Sequence, residues 1–414
     1  MSRLTILVLA ASTLWTARAT STDYVWLGTT SNSWGTNTNW SPSSAVPTNG
    51  DTITFNSSGN GRPSMDIFGF RSIQSITVDT ATAASYTITS GNGAFLTFDP
   101  TGAAITVTST VTQNQSFNAP IVAQSGGITI TNNSTAATLT FAFPPGSGSQ
   151  IINSGGAIVV TGSGNTIFNG SIGGILQPLN KSGAGTLSLN STVATQGINI
   201  TGGTLLINGT YNPTWGSGTT IQVSSGMLGG TGTIAPTSDA NASVTIPGNG
   251  IIRGDSDTGT GTLTINARLL IQGSAVNGGM LRTFANRTDA NIASNSLISV
   301  IGGKLLQFST SAGKFQISVD MPNWQPNETY TLTLGQVNTA GNIWLGNTTQ
   351  GAKAVIAASN YTASSPNMPG FVSSSLFVDN TATKLQFTFT TVPEPSLLML
   401  LAGIVSVWTL RLRR

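Results

Sequence analysis

The 414-residue chain contains no cysteine and no histidine, and only 7% of its residues are charged. Without cysteine there are no disulfides and no thiolate metal sites, so the redox compartment has to be read from other features. Without histidine the commonest general base and the commonest zinc ligand are both missing. A nucleophile motif of the Ser-His type is therefore excluded. Basic charge is scarce where it would matter. Of 16 Lys and Arg residues, five sit at the two ends: Arg3, Arg18, Arg411, Arg413 and Arg414. With Glu394 set aside among the 13 acids, the body carries 11 basic and 12 acidic residues. It has no basic stripe for phosphates, and no nucleic-acid partner is expected.

What the chain has instead is glycine, 49 of them, and 38% hydrophobic residues, enough to build a core. Between its two ends the chain has no stretch with a convincing helical period. Short runs alternate Thr or Ser with Ile, Val, Leu or Phe, as in DTITF (51–55), AITVTSTVT (104–112), GTLSLN (185–190) and GTLTIN (261–266). Such alternation predicts half-buried strands. A Gly-Gly pair followed by an alternating run recurs at SGGITIT (125–131), SGGAIVV (154–160), TGGTLLI (201–207) and IGGKLLQF (301–308). One strand-turn unit per period, each read as one coil, predicts an all-β solenoid burying a continuous core. A β-sandwich is the alternative. Open solenoid ends need caps. Trp26, Trp34 and Trp40 give residues 20–60 the aromatic density of an N-terminal cap. The longer strands of 314–391 suggest a C-terminal cap or small β module, with the repeat region spanning 20–313.

The two ends read as addresses. Arg3, an apolar run from Leu4 to Trp15 and then Ala17-Arg18-Ala19 follow the order of a secretory signal peptide, with cleavage after Ala19. At the other end, Pro393 and Pro395 flank Glu394 and precede the apolar segment Ser396–Leu410. Arg411, Arg413 and Arg414 follow as a stop on the cytoplasmic side. The segment is short for a span, and a single apolar helix is expected there.

Residues 392–414 resemble the PEP-CTERM sorting signal of Gram-negative bacteria: Val392-Pro393-Glu394-Pro395, an apolar helix and an Arg-rich end. The resemblance implies recognition by an exosortase, transient residence in the inner membrane, and delivery to the cell surface or an extracellular polysaccharide matrix. A second resemblance covers roughly 179–266. Lys181, Gly183, Gly185, Leu187 and then Gly202-Gly203 are similar to the autotransporter-associated β-strand repeat. That resemblance implies a right-handed parallel β-helix. The long alternating strands of a translocating barrel are not expected here.

Candidate chemistry is thin. Asp255 and Asp257 are the only acids two apart, a weak Ca²⁺ candidate or a weak carboxylate pair. The EF-hand pattern fails at Gly259. Exposed tryptophans stack on sugars, so Trp26, Trp34 and Trp40 are either a glycan-binding face or the plug of the solenoid core. The expectation is a non-enzymatic structural or adhesin-like envelope or matrix protein without cofactor. The alternatives are a glycan-binding protein using the Trp cluster and, further off, a polysaccharide-degrading β-helix.

Overall fold

A computed structural model describes residues 21–392 apart from positions 92, 100, 143–150, 154, 174–176, 214–219, 237–240, 257 and 289–290. The described chain is all-β. It is built on three long sheets of 15, 13 and 14 strands. From Thr52–Phe55 to Arg268–Gln272 each first-sheet strand pairs in parallel with the strand three further along the chain, and the other two sheets follow the same step there, so each of these coils gives one strand to each sheet. This is the arrangement of a β-solenoid, and it corrects the sequence reading of one strand per coil. The Gly-Gly pairs mark different corners. Gly126-Gly127 precedes a first-sheet strand, Ile128–Asn132, whereas Gly202-Gly203 precedes a second-sheet strand, Thr204–Ile207.

Register explains why alternation survives coil after coil. In the first sheet Ile53, Ile76 and Ile105 are stacked partners, and Ile130 and Val160 continue the inward row. In the second sheet Phe117, Phe141 and Phe168 stack. Their ring centroids are 5.3 and 4.5 Å apart, the latter pair within 4° of parallel. Outward positions carry Thr, Ser and Asn that tolerate water. The outward asparagines form ladders: the Asn190 amide donates to Asn169 at 2.8 Å and the Asn208 amide to Asn190 at 3.0 Å.

The first coil is closed by residues 21–41. Asp23–Trp26 pairs in parallel with Thr52–Phe55 and antiparallel with Trp40–Ser41. Parallel pairing runs on past position 313, through Phe315–Asp320, Ile343–Leu345 and Tyr361–Ser364. The change from solenoid to cap therefore falls inside 314–391 rather than at its start. The closing element is the antiparallel pair Phe371–Val378 and Lys384–Thr391 laid against Thr329–Val337. It buries Leu376, Leu385, Phe387 and Phe389. No α-helix occurs among the described residues, and no helix there is long and apolar enough to cross a membrane. The expected signal peptide and C-terminal apolar helix lie outside the described residues.

Candidate functional site

The repeat motif builds the most distinctive local site. Lys181 occupies an inward row of the first sheet, paired with Val160 on one coil and Ile200 on the next. Its side chain is buried at 2% exposure. The stem fills the place of an apolar side chain, and the ammonium turns into the corner. There Nζ donates to the carbonyl oxygens of Ser182 at 2.7 Å, Gly183 at 3.0 Å and Gly202 at 3.1 Å. Burial pushes the Lys181 amine down to about 8. The corner needs glycine for two reasons. Gly183 and Gly203 hold φ of +70° and +63°, and a Cβ on Gly203 would lie 2.4 Å from the Gly185 carbonyl oxygen and 2.8 Å from Lys181 Nζ. Gly185 donates its N–H to Gly162 at 3.0 Å, and Leu187 is buried in the core. The motif is a coil-locking device that joins two successive corners through one cation.

The Trp cluster is fully interior. Trp26, Trp34 and Trp40 each have 0% exposure. Trp40 packs edge-on against Trp26 at 4.9 Å and Trp34 at 5.2 Å. Their indole N–H groups donate to the carbonyls of Arg62, Pro47 and Trp34. No ring face is left for a sugar, so the glycan-binding expectation at these three residues is corrected. The sequence missed Asn39, which is buried beside them. Its amide oxygen accepts from Thr30 and Ser31 N–H, and its NH₂ donates to Ser31 Oγ and the Ser33 carbonyl. A polar residue in an Asn-rich loop gave no signal of that role.

Asp255 organises its own loop. Its carboxylate accepts from the N–H of Ser256 at 2.6 Å and of Gly261 at 2.8 Å, with backbone φ of +65°. A Cβ on Gly259 would strike the same carboxylate. Asp257, the second half of the candidate pair, lies outside the described residues. Among the described residues no three of His, Cys, Asp and Glu come together as metal ligands. Neighbouring Arg253 is fully buried, with its guanidinium 6.0 Å from the Phe284 ring centre.

Two cross-coil ion pairs were not anticipated from sequence. Arg282 meets Asp320 at 3.0 Å, and Arg287 meets Glu328 at 3.2 Å. Glu328 also accepts from the Tyr330 hydroxyl at 2.9 Å, and its N–H donates to Thr391 Oγ1 at 3.2 Å. Thr391 is buried, and Val392 is the last described residue. Of the sorting motif only Val392 is described; Pro393, Glu394, Pro395, Arg411, Arg413 and Arg414 lie outside, as do Ala17 and Ala19. No family model, curated protein or solved structure matches this chain.

Proposed function

We propose that this is an exported, non-enzymatic structural protein of the bacterial envelope or extracellular matrix. Its β-solenoid is right-handed, displayed outside the cell as a rigid, low-charge rod. The observation that carries this reading is how the chain's few reactive groups are spent. Lys181 is bonded to three backbone carbonyls, Asp255 to its own loop, and the three tryptophans to the core. Asp255 and the three tryptophans, the described residues that the sequence nominated for binding or chemistry, hold a loop and the N-terminal end. Residues 1–19 serve as the export signal. Val392–Pro395, the apolar segment and the terminal arginines serve as a sorting tail handled by an exosortase-type enzyme at the inner membrane. The polysaccharide matrix is the proposed surrounding of the mature rod.

Intact-mass measurement of protein recovered from its native host, alongside cell fractionation, tests this. The expected result is loss of residues 1–19 and of the tail beyond Pro395, with the protein outside the cell. A full-length C-terminus held in the inner membrane would refute sorting and leave a tail-anchored rod.

A further inference from the structure

Charge is scarce in this chain, so two cations that share a hollow without an acid to answer them call for an explanation. Such a hollow, of about 480 Å³, lies on the outer face of the closing antiparallel pair, with Lys353, Lys384, Val355, Phe377 and Gln386 in its walls.

The two lysines are far apart in sequence, and backbone bonds bring them together. Lys353 N–H donates to the Asp379 carbonyl at 3.2 Å, Asp379 N–H to the Lys384 carbonyl at 3.0 Å, and Val378 N–H to the Ala354 carbonyl at 2.9 Å. Lys353 holds φ of +61°, a conformation that glycine or asparagine takes more easily, yet the position carries a long cationic side chain. Neither ammonium meets an acid among the described residues. Asp379 also lines the hollow, but it is committed to its own turn. Its carboxylate accepts from the Thr381 hydroxyl at 2.6 Å and from the N–H groups of Thr383 and Lys384 at 2.9 Å. Those bonds fix the turn, and with it the backbone of Lys384, before any ligand arrives.

The wall between the lysines follows from strand register. Val355, Phe377 and Gln386 are cross-strand neighbours and form a row over three strands. Leu376, Val378, Leu385 and Phe387 flank that row and are buried, so the row faces outward. Val355 is 72% exposed and Phe377 is half-buried. The hollow therefore offers an apolar strip that ends in an amide, a second amide at Asn380 in the turn, and two cations.

We infer that this hollow binds an acidic sugar, a uronate unit of an anionic polysaccharide, with Lys353 and Lys384 on its carboxylate and Val355 and Phe377 against its ring. A pyranose presents C–H groups on its faces and hydroxyls around its edge, which matches an apolar strip bordered by amides. The carboxylate answers the excess positive charge. A plain dicarboxylate would use the lysines and leave the strip uncovered. The inference rests on the polysaccharide matrix proposed above as the surrounding of the rod, and it adds a contact that would hold the rod there.

Calorimetric titration of the full chain with tetragalacturonate tests this. The methyl ester of the same oligomer keeps the rings and removes the charge; succinate keeps carboxylates and removes the rings. Tetragalacturonate should bind, less tightly as salt is raised, and both controls should bind about fivefold more weakly or worse. Lys353→Gln and Lys384→Gln should each weaken tetragalacturonate about two- to fivefold, and the double variant about tenfold, with thermal melts unchanged. Absence of tetragalacturonate binding overturns the inference. So does equal binding of the ester, which would mean that the lysines do not read the charge. Equal binding of succinate would make the hollow a plain carboxylate site, and a folded double variant that binds as wild type does would place the contact elsewhere; each overturns it too. If a variant melts early, the comparison of acid and ester on the wild type decides alone. None of these results bears on export and sorting, which mass and fractionation decide separately.

Discussion

Removal of the Lys181 ammonium is the sharpest perturbation available, because position 181 lies in a row otherwise made of Val160 and Ile200. Lys181→Met keeps an unbranched stem of similar length and deletes the charge. Two terms oppose each other. The downward shift of the amine from 10.5 to about 8 means that holding it charged at neutral pH costs about 3 kcal/mol. That cost is net of what the bonds return to the cation, so the opposing term is what Met leaves behind: three corner carbonyls stripped of the donor that Nζ supplies, at about 1–3 kcal/mol each. The balance favours lysine, and Met should lower the unfolding free energy by about 2–4 kcal/mol at pH 7. Urea unfolding followed by circular dichroism measures it. The pH dependence gives an independent check. The folded amine has the lower pKa, so between about pH 8 and 10.5 the unfolded chain binds more protons. Wild-type stability should therefore rise through that window, and the Met variant should lack that component. The penalty is fully present below pH 8. A Met variant as stable as wild type at pH 7, or with the same slope between pH 8 and 10.5, would refute the account of Lys181 as a bonded, buried cation.

Three further outcomes follow from the same geometry. Gly203→Ala should cost about 2–4 kcal/mol in a denaturant melt, from a positive φ and a Cβ driven into the Gly185 carbonyl. Trp40→Ala should cost about 3–5 kcal/mol and expose Trp26 and Trp34, read as a red shift of their fluorescence. Asp79 accepts from Thr108 and Thr110 hydroxyls on the neighbouring coil and from Thr80 N–H, and the Thr108 bond leads in holding its carboxyl below the usual range. Its contribution is present above the unfolded carboxyl pKa near 4 and is lost as pH falls through the lower folded value. Asp79→Asn should be less stable than wild type at pH 6, with the gap narrowing toward pH 3.

The strands and the solenoid were legible because alternation and glycine corners are local signals. Ile53, Ile76 and Ile105 each sit mid-run between hydroxyl or small residues, and each points inward. The number of strands per coil was not legible. A Gly-Gly pair looks the same whether it precedes a first-sheet strand, as at Gly126-Gly127, or a second-sheet strand, as at Gly202-Gly203. Coil length also varies: Leu179 stacks on Ile198, but Leu269 stacks on Leu306. No fixed period could reveal the three-sheet cross-section. Lys181 was legible as a motif residue and illegible as a core residue, because a lysine in sequence says nothing of which face it occupies. The Trp cluster left two readings open from sequence. Only the packing of Trp40 between its neighbours settles that the rings are inside. Ion pairs such as Arg287–Glu328 join positions 41 apart, beyond any local pattern.

The scarcity of charge is itself a consequence of this architecture. In a parallel solenoid, equivalent positions on successive coils lie directly opposite one another, about 4.8 Å apart. A charged residue repeated at one position would face its own kind on both sides, and like charges directly opposite destabilise a sheet. Threonine, serine and asparagine escape that penalty because each can donate and accept along the stack, as the Asn169–Asn190–Asn208 ladder does. Charges survive where geometry supplies a different partner. Lys181 has backbone carbonyls, and Arg282 and Arg287 have the acids Asp320 and Glu328 on other coils. The same constraint bears on function. Stacking disfavours like charges on the coil faces, whereas an acid and a base on neighbouring coils attract, as Arg282 and Asp320 do. The loop beginning at Asp255 is the one the sequence nominated for chemistry, and there the carboxylate is committed to the backbone of Ser256 and Gly261. On the structural role proposed above, the molecule acts through its shape and rigidity.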